Sequence, residues 1–315
     1  MGRLAVFNPA VRTLDESISR AKAAEELACE SVWTTQMPDA RDASLVLAAY
    51  AANTQRIKLG TGVLPIYTRH PTAMVQMAAS LDELSGGRFI LGLGISHKVT
   101  VEGMWGLRLE NPLEAMREYL TIVRDGLAKG RSNIDGRHFT AHTVYSGPRR
   151  PEVPVMISAL NPRMLDLAGE LSDGVVLYMC TPAYVRDHVV PAVRAARVRA
   201  GKSLDGFEIV AAIPVCLTSD RASGQDVFRK TVARYAALPF YRRMMDASGL
   251  GPDLVKDPIG EAALDELAGI GDESRVRDVI ERYRDAGVTL PGAGPFGGHD
   301  GAKGFESTLE AAAKA

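Results

Sequence analysis

Small and polar residues are concentrated where the predicted strands of this chain end. Glycine within a strand indicates a bulge or a ligand close to the backbone. A flat redox-active ring needs walls of this kind, because backbone amides can then reach its polar edge. The pattern therefore predicts a barrel that binds such a cofactor. The residues concerned are Gly60, Gly62, Gly92, Gly94, Ala159, Ser96 and Asn161.

Other chemistries have weaker support in the sequence. His138 and His142 are four residues apart without a third ligand nearby, so we interpret them as surface histidines and predict no metal site. GLGISH and GTGVLP each lack the third glycine of the dinucleotide-binding fingerprint. No serine occupies G-x-S-x-G and Cys180 has no evident histidine partner, which disfavours nucleophilic hydrolysis.

Short apolar runs alternate with amphipathic segments, which is typical of βα units around a parallel sheet. A helix is predicted over 13–28, with Thr13 as its N-cap. A doubly wound open sheet could also hold eight strands. The strand count and the length of 315 residues favour an α/β fold of the (β/α)8 TIM barrel type, in a single domain over 1–315. The predicted strands are 3–8, 31–35, 57–63, 88–94, 153–159, 174–179, 207–217 and 287–293.

Two insertions interrupt the βα pattern. The first, about 131–154, is polar and contains Asp135–Gly136, a hairpin signal. The second, about 220–272, contains the helical pattern GQDVFRKTVARYAAL and a loop. In a barrel of this kind the active site lies at the C-terminal ends of the strands. The positions there include Asn8, Thr35, Gln36, Gly62, Val63, Ser96, His97, Ala159, Leu160, Asn161 and Tyr178.

Composition limits the partners. The 37 Lys and Arg residues nearly balance the 38 Asp and Glu residues, for a formal charge of -1, so no global field would recruit nucleic acid or an anionic membrane. The three cysteines are far apart, which fits a reducing compartment. The first residues have too short an apolar run for a signal peptide, and no run of 18 apolar residues occurs. We expect a cytoplasmic protein.

Three segments together resemble a known family. They are AKAAEELACESVWTTQ (21–36), KLGTGVLPIYTRHPTAMVQMAASLDELSGGRFILGLGISH (58–97) and VPVMISALNPRMLDLAGELSDGVVL (153–177). They resemble the bacterial luciferase-like superfamily, and within it the coenzyme F420-dependent oxidoreductases. The resemblance implies a luciferase-like TIM barrel that binds coenzyme F420, with FMN as the alternative cofactor.

The resemblance also implies positions for the cofactor. The third strand of this family ends in a bulge with a non-proline cis peptide bond, which would be Gly62–Val63 here and would place Val63 under the ring. Asn161 would lie near the pyrimidine edge, or cap the helix that begins at Pro162. The implied cofactor-binding residues are Asn8, Thr35, Gln36, Gly62, Val63, Ser96, His97, Ala159, Leu160 and Asn161.

His97 and Tyr178 are the predicted catalytic residues. By resemblance, a sugar-phosphate dehydrogenase of the family carries an acid residue near the ring at the position of His97. Imidazole, with an unperturbed pKa of about 6.5, could supply the proton that accompanies hydride transfer. Alternatively, His97 hydrogen-bonds Ser96 or a loop carbonyl and orders the cofactor. Tyr178, with an ordinary phenol pKa of about 10, is the alternative donor.

Departures from the family bear on the substrate. Gln36–Met37 stands where several relatives have Asp-His, and LYMCTP lacks the lysine that helps bind a substrate phosphate. A sugar phosphate is therefore not expected. An apolar or planar organic substrate is suggested instead by Tyr178, Met179, Trp105 and Trp33, although Trp33 could be core.

The predicted function is therefore hydride transfer between the deazaflavin and a small organic molecule. The alternatives are an FMN-dependent luciferase-like monooxygenase and a non-catalytic barrel that has lost its cofactor. The resemblance further implies a homodimer through the helix over 71–85. Met74, Met77 and Leu81 lie at helical spacing there and could equally face the barrel.

Overall fold

The computed structural model describes residues 2–8, 13–297 and 302–315. Its strands and helices alternate along most of the chain. The strands are β1 (Ala5–Phe7), β2 (Ser31–Thr34), β3 (Lys58–Thr61), β4 (Leu64–Pro65), β5 (Phe89–Gly94), β6 (Arg131–Asp135), β7 (Thr140–Val144), β8 (Val155–Ser158), β9 (Gly174–Tyr178), β10 (Glu208–Leu217), β11 (Gly269–Gly271) and β12 (Leu290–Pro295). The helices are α1 (Leu14–Glu26), α2 (Ala43–Asn53), α3 (Pro71–Leu84), α4 (Pro112–Lys129), α5 (Pro162–Leu171), α6 (Pro182–Tyr184), α7 (Val190–Arg199), α8 (Arg221–Ala236), α9 (Pro239–Ala247), α10 (Gly251–Leu254), α11 (Glu261–Leu267), α12 (Glu273–Asp285) and α13 (Ala302–Ala313), with π-helical turns at Val99–Met104 and Val185–Val189.

Eight parallel strands close into a ring in the order β1, β2, β3, β5, β8, β9, β10, β12. The ring closes where β12 pairs with β1, with Ala5 opposite Gly292, and where β10 pairs with both β9 and β12. β4 extends the third strand and pairs with β5. The predicted (β/α)8 TIM barrel is confirmed, and all eight predicted strands are present.

The strands separate two apolar clusters, because successive side chains of a strand point to opposite faces. Leu4 and Val6 belong to the large cluster between the sheet and the helices. Ala5 and Phe7 belong to a smaller cluster inside the barrel. The interior cluster consists of Ala5, Phe7, Trp33, Ile90, Met156, Val176, Val210, Ala212 and Leu290, with Val63 and Tyr178 packed against it.

The first helix begins as the sequence predicts. The Thr13 side chain accepts a hydrogen bond from the Glu16 amide at 3.1 Å, which satisfies one of the free N–H groups of the first turn. Asp15 and Glu16 lie in that turn, where the helix dipole favours negative charge. The helix ends at Glu26, two residues before the predicted end.

Both insertions carry secondary structure. The first forms the antiparallel hairpin β6–β7, in which Asp135 lies opposite Thr140 and the Gly136 amide donates to the Phe139 carbonyl. The second contains α8 to α11 and the strand β11, which pairs with the end of β10. The sequence did not predict β11, because a three-residue strand of sequence GIG has no strand-forming periodicity. The single-domain assignment stays a prediction.

α3 packs onto the barrel through the residues that the sequence left ambiguous. Met74 and Leu81 are buried in the main core cluster, and Met77 is half-buried against it. No helix in the described part of the chain is both long enough and apolar enough to cross a membrane.

Candidate functional site

The mouth of the barrel lies at the C-terminal ends of the strands, above an apolar floor. Phe7 and Trp33 stack inside the barrel, with ring centroids 5.7 Å apart and an interplanar angle of 18°. Trp33 is fully buried, and its indole nitrogen donates to Ser31 Oγ at 2.8 Å. Trp33 is therefore a core residue, and the interpretation of it as a substrate contact is wrong.

Two of the glycines assigned to the cofactor wall serve the packing of the barrel instead. A Cβ atom added at Gly60 would overlap the Trp33 ring, and one added at Gly92 would overlap the carbonyl oxygen of Thr61. The Gly92 N–H also donates a hydrogen bond to Thr61 Oγ1 at 2.7 Å. The interpretation of Gly60 and Gly92 as open walls is therefore wrong: they make room for an indole and a neighbouring strand.

Gly62 and Val63 form the bulge between β3 and β4. Their peptide bond is cis, at the position that the family resemblance implies. A Cβ atom at Gly62 would lie 2.7 Å from Phe7 Cε1. One at Gly94 would lie 2.5 Å from Val63 Cγ2 and 2.7 Å from Ser158 Oγ. The two glycines thus leave Val63 half-buried at the mouth, against the interior cluster.

His97 follows β5 and is half-buried among aromatic rings. Ser96, just before it, has a left-handed backbone with φ of 57°, which turns the chain at the end of the strand. The centroid of the His97 imidazole lies 5.8 Å from that of Tyr241 and 6.3 Å from that of Tyr235. Burial lowers the pKa of His97 below its ordinary value of about 6.5, so the neutral imidazole predominates at pH 7.

The rings of His97, Tyr178, Tyr235 and Tyr241 form one cluster, here called the aromatic wall. Tyr235 contacts Tyr178 at 5.1 Å and Tyr241 at 4.8 Å between centroids, both nearly perpendicular, the edge-to-face geometry that aromatic pairs favour. Burial raises the pKa of the Tyr178 phenol well above its ordinary value, and the neighbouring Tyr235 adds to this. Tyr178 is therefore a weaker acid than the sequence alone suggests.

Tyr235 and Tyr241 are the site residues that sequence reasoning missed. Tyr235 lies near the end of α8 and Tyr241 lies in α9, both within the second insertion. The only signal was the aromatic spacing in YAALPFY, and nothing in the sequence shows where the insertion folds. The structure brings these two residues together with the predicted pair His97 and Tyr178.

Asn8, a predicted cofactor contact, does not lie with the aromatic wall at the mouth. It follows Phe7, which points into the barrel, so its side chain lies on the opposite face and is buried. Its Nδ2 donates to Tyr50 Oη at 2.7 Å and to the Ser17 carbonyl at 3.0 Å. The structure therefore places the Asn8 amide between the strand and the helices α1 and α2, away from the mouth, contrary to the predicted cofactor contact.

Thr35 and Gln36 follow β2 as predicted, but the Gln36 side chain has a structural partner. Its Oε1 accepts a hydrogen bond from the Ala43 amide at 2.9 Å, at the start of α2, and its Nε2 donates to the Met37 carbonyl at 3.2 Å. Gln36 thereby holds the loop that joins β2 to α2. Thr35 is exposed beside it.

The segment after β8 carries the last three predicted cofactor contacts. Asn161 Oδ1 accepts from the Met164 amide at 3.0 Å and caps α5, which is the alternative role that the sequence left open. Ala159 is buried. The Leu160 carbonyl accepts a hydrogen bond from Tyr184 Oη at 2.8 Å, which fixes the loop. Ala159 and Leu160 lie beyond the last paired residue of the strand, Ser158.

The described residues contain no group of three or more His, Cys, Asp or Glu side chains placed to hold a metal. His138 Nε2 lies 3.3 Å from Glu114 Oε2. His142 lies on the hairpin, with Nδ1 2.5 Å from Asn133 Oδ1. Both histidines are therefore engaged with neighbouring side chains on the first insertion and α4.

A cavity of about 520 Å³ opens at the opposite end of the barrel, where the strands begin. Its charged lining is paired: Arg124 Nη1 lies 2.8 Å from Asp173 Oδ2, and Arg88 donates to the carbonyl oxygens of Ser85 and Ile57 at 2.7 Å. Because these donors already have acceptors, we locate the candidate site at the mouth rather than here.

The residues at the mouth fit a flat ring with a polar edge. Val63 and the floor beneath it offer an apolar face, and the absent side chain of Gly94 leaves room for the side chains of Val63 and Ser158 beside each other. The hydroxyls of Ser96 and Ser158 are half-exposed and have no hydrogen-bond partner within the described part of the chain. They are available to the polar edge of a bound ring.

Comparison with known proteins identifies the family of the chain. The profile of the luciferase-like monooxygenase family matches residues 3–290. A Mycobacterium tuberculosis protein provisionally named a coenzyme F420-dependent oxidoreductase is 32% identical, with 85% of this chain and 87% of that protein covered. The 5,10-methylenetetrahydromethanopterin reductase of Archaeoglobus fulgidus is 31% identical, with 90% of this chain and 91% of that enzyme covered.

Solved structures share the fold. The coenzyme F420-dependent tetrahydromethanopterin reductase of Methanopyrus kandleri superposes with a TM-score of 0.82 at 24% identity, over 98% of this chain and 97% of that one. The oxygenating component of 3,6-diketocamphane monooxygenase of Pseudomonas putida, solved with FMN, superposes with a TM-score of 0.78 at 18% identity, over 100% and 97%. The same barrel therefore occurs in enzymes named for either cofactor.

Proposed function

Because this chain belongs to the luciferase-like monooxygenase family and is an oxidoreductase, we propose that it uses coenzyme F420 and transfers a hydride between the deazaflavin and a small organic substrate. The observation that carries the proposal is the 32% identity, over 85% of this chain, with a protein provisionally named a coenzyme F420-dependent oxidoreductase. The 31% identity, over 90% of this chain, with a 5,10-methylenetetrahydromethanopterin reductase adds to it. The mouth supports it, since its apolar floor and the serine hydroxyls that have no partner among the described residues suit a flat cofactor.

Each part of the mouth has a role in this proposal. Val63 would lie against the face of the ring, and Ser96 and Ser158 would hydrogen-bond its polar edge together with the backbone of Ala159 and Leu160. Coenzyme F420, when bound, supplies or accepts the hydride.

His97 would handle the proton. As a neutral imidazole at pH 7 it is ready to accept a proton from a substrate hydroxyl, which suits the direction in which substrate is oxidised. In the reducing direction it must first be protonated, which requires a pH below its lowered pKa. Oxidation should therefore gain rate as the pH rises through that pKa and stay level near pH 7, while reduction should lose rate over the same range.

Equilibrium titration of the purified protein with F420 and, separately, with FMN tests the cofactor. Binding of F420 that is at least tenfold tighter than binding of FMN is expected. Preference for FMN would instead support the FMN-dependent monooxygenase. Failure to bind either cofactor at millimolar concentration would support a barrel that has lost its cofactor.

The remaining expectations are also proposals. A homodimer would use the exposed side of α3, because Met74 and Leu81 are occupied within the chain's own core. A monomeric mass in solution at micromolar concentration would exclude it. A small-molecule substrate and a cytoplasmic location accompany the proposed reaction.

A further inference from the structure

Tyr235 occupies the central position of the aromatic wall. Its ring contacts three others, with centroid distances of 4.8 Å to Tyr241, 5.1 Å to Tyr178 and 6.3 Å to His97. His97 comes from the loop after β5 and Tyr178 from the end of β9, so the two candidate proton-transfer groups stand on different strands. The Tyr235 ring, from the second insertion, contacts both of them.

The orientation of His97 depends on these rings. Within the described residues its imidazole makes no hydrogen bond, and its ring contacts are those with Tyr235 and Tyr241. The hydroxyl of Tyr178 likewise has no hydrogen-bond partner there. Packing against aromatic rings is therefore what holds both groups, and it also keeps water from one side of the imidazole.

We propose that Tyr235 is a positioning residue: its ring holds His97 and Tyr178 on one wall of the mouth and shields the imidazole from water. The catalytic role of His97 and Tyr178 rests on the proposed function, whereas the ring contacts with Tyr235 are observed independently of it. It predicts that the second insertion controls the acid–base behaviour of the site, although it contributes no group that reacts.

The charges around His97 are few. Lys98, the next residue, pairs with Glu102 at 3.6 Å on the same loop. From α8, Arg234 lies with its guanidinium carbon 5.3 Å from the centre of the Tyr235 ring. The phenols of the buried Tyr241 and the half-buried Tyr178 stay neutral, because burial raises the pKa of both. Because no carboxylate of residues 2–8, 13–297 or 304–315 contacts the ring, water exclusion dominates the equilibrium between the two forms of His97.

The test is a proton NMR titration of His97 in the cofactor-free protein, with its signal assigned by its loss in His97→Gln. In wild type the midpoint should lie below 6.5. Tyr235→Leu, which removes the ring, should raise it toward 6.5, whereas Tyr235→Phe, which keeps the ring, should leave it at the wild-type value. Phe240→Leu is the control, because Phe240 is an exposed aromatic residue of α9. Replacing its ring with leucine should leave the titration midpoint of His97 unchanged.

Three results would overturn the proposal: a wild-type midpoint at or above 6.5, an unchanged midpoint in a folded Tyr235→Leu variant, or an equal shift in Tyr235→Phe. The first needs no variant. If Tyr235→Leu does not fold, Tyr235→Met, which also removes the aromatic ring, takes its place in the titration with the same expected and contradicting results. Since no cofactor is present, the result is independent of whether F420 binds. If turnover is then measurable, its pH profile should shift with the midpoint in Tyr235→Leu alone.

Discussion

The two ends of the barrel are built from different side chains. At the end where the strands begin, charges pair with one another: Arg3 bridges Glu30 at 2.5 Å and Glu208 at 2.8 Å, and Lys58 adds a second contact to Glu30 at 3.0 Å. The polar groups that the described residues place at the mouth include a histidine, phenols and serine hydroxyls, several of which have no partner among those residues. The end with paired charges therefore contributes to stability, and the mouth, with its available donors, is the end suited to function.

The pair between Arg150 and Asp82 illustrates the stabilising end. Arg150 donates through Nε and Nη2 to the two oxygens of Asp82, at 2.9 and 2.8 Å. The Asp82 side chain is only 6% exposed, whereas that of Arg150 is 34% exposed. A bidentate pair with one buried partner is costly to break, because the charge left behind cannot be solvated.

Replacement of His97 should have the largest effect and should fall on activity alone. His97→Gln removes a group that exchanges protons, so turnover should fall about 10²–10⁴-fold, the usual contribution of general acid–base catalysis. The affinity for F420 and the thermal midpoint should stay near wild type. Weaker F420 binding with normal turnover at saturation would instead mean that the imidazole only positions the cofactor.

Replacement of Arg150, at the opposite end of the barrel, should lower stability and leave cofactor binding unchanged. Arg150→Ala should lower the free energy of unfolding by about 2–3 kcal/mol, less than for a fully buried pair because Arg150 is partly exposed, while F420 affinity stays unchanged. Urea unfolding measures the difference. Arg199→Ala, which breaks a pair with Asp166 that is exposed on both sides, is the control and should have little effect. Loss of F420 binding in folded Arg150→Ala would contradict the division between the two ends.

Acid should weaken the stabilising end through Glu30. Its pKa is lowered to about 2, first by the hydrogen bond from Arg3 and then by Lys58, against the opposing effect of burial. A lowered pKa contributes stability that is present above the unfolded value of about 4.5 and is lost as the pH falls toward 2. Glu30→Gln should therefore cost about 1 kcal/mol at pH 7, after allowance for its exposed partners.

The difference between the unfolding free energies of wild type and Glu30→Gln should shrink as the pH falls from 4.5 to 2. Paired urea titrations across that range measure it. A difference that stays constant would show that the carboxylate charge is not what stabilises this end.

Local patterns in the sequence predicted the scaffold well. Eight apolar runs gave eight strands, and the cap at Thr13 is present, because periodicity and capping depend on neighbours in the chain. The predictions that were wrong concern residues whose roles depend on contacts with residues far away in the chain. The side chain at Asn8 follows the strand alternation away from the mouth, and Gly60 is small because Trp33 fills the space beside it.

The site was only partly predictable for the same reason. His97 and Tyr178 could be found because they lie just after and at the end of predicted strands, and a barrel brings strand ends together. Tyr235 and Tyr241 could not, because they belong to an insertion whose position over the mouth is a tertiary property. Insertions of this kind are where relatives with one barrel are free to differ.

Hydrogen exchange with and without F420 tests the central claim, that the cofactor binds at the mouth and not at the charged end. Binding protects amides whose opening exposes the ligand site. At saturating F420 we predict slower exchange over residues 93–98 and 157–161, and unchanged exchange over 85–89 and 149–153. Protection confined to 85–89 and 149–153, or no protection anywhere at saturation, would contradict the account.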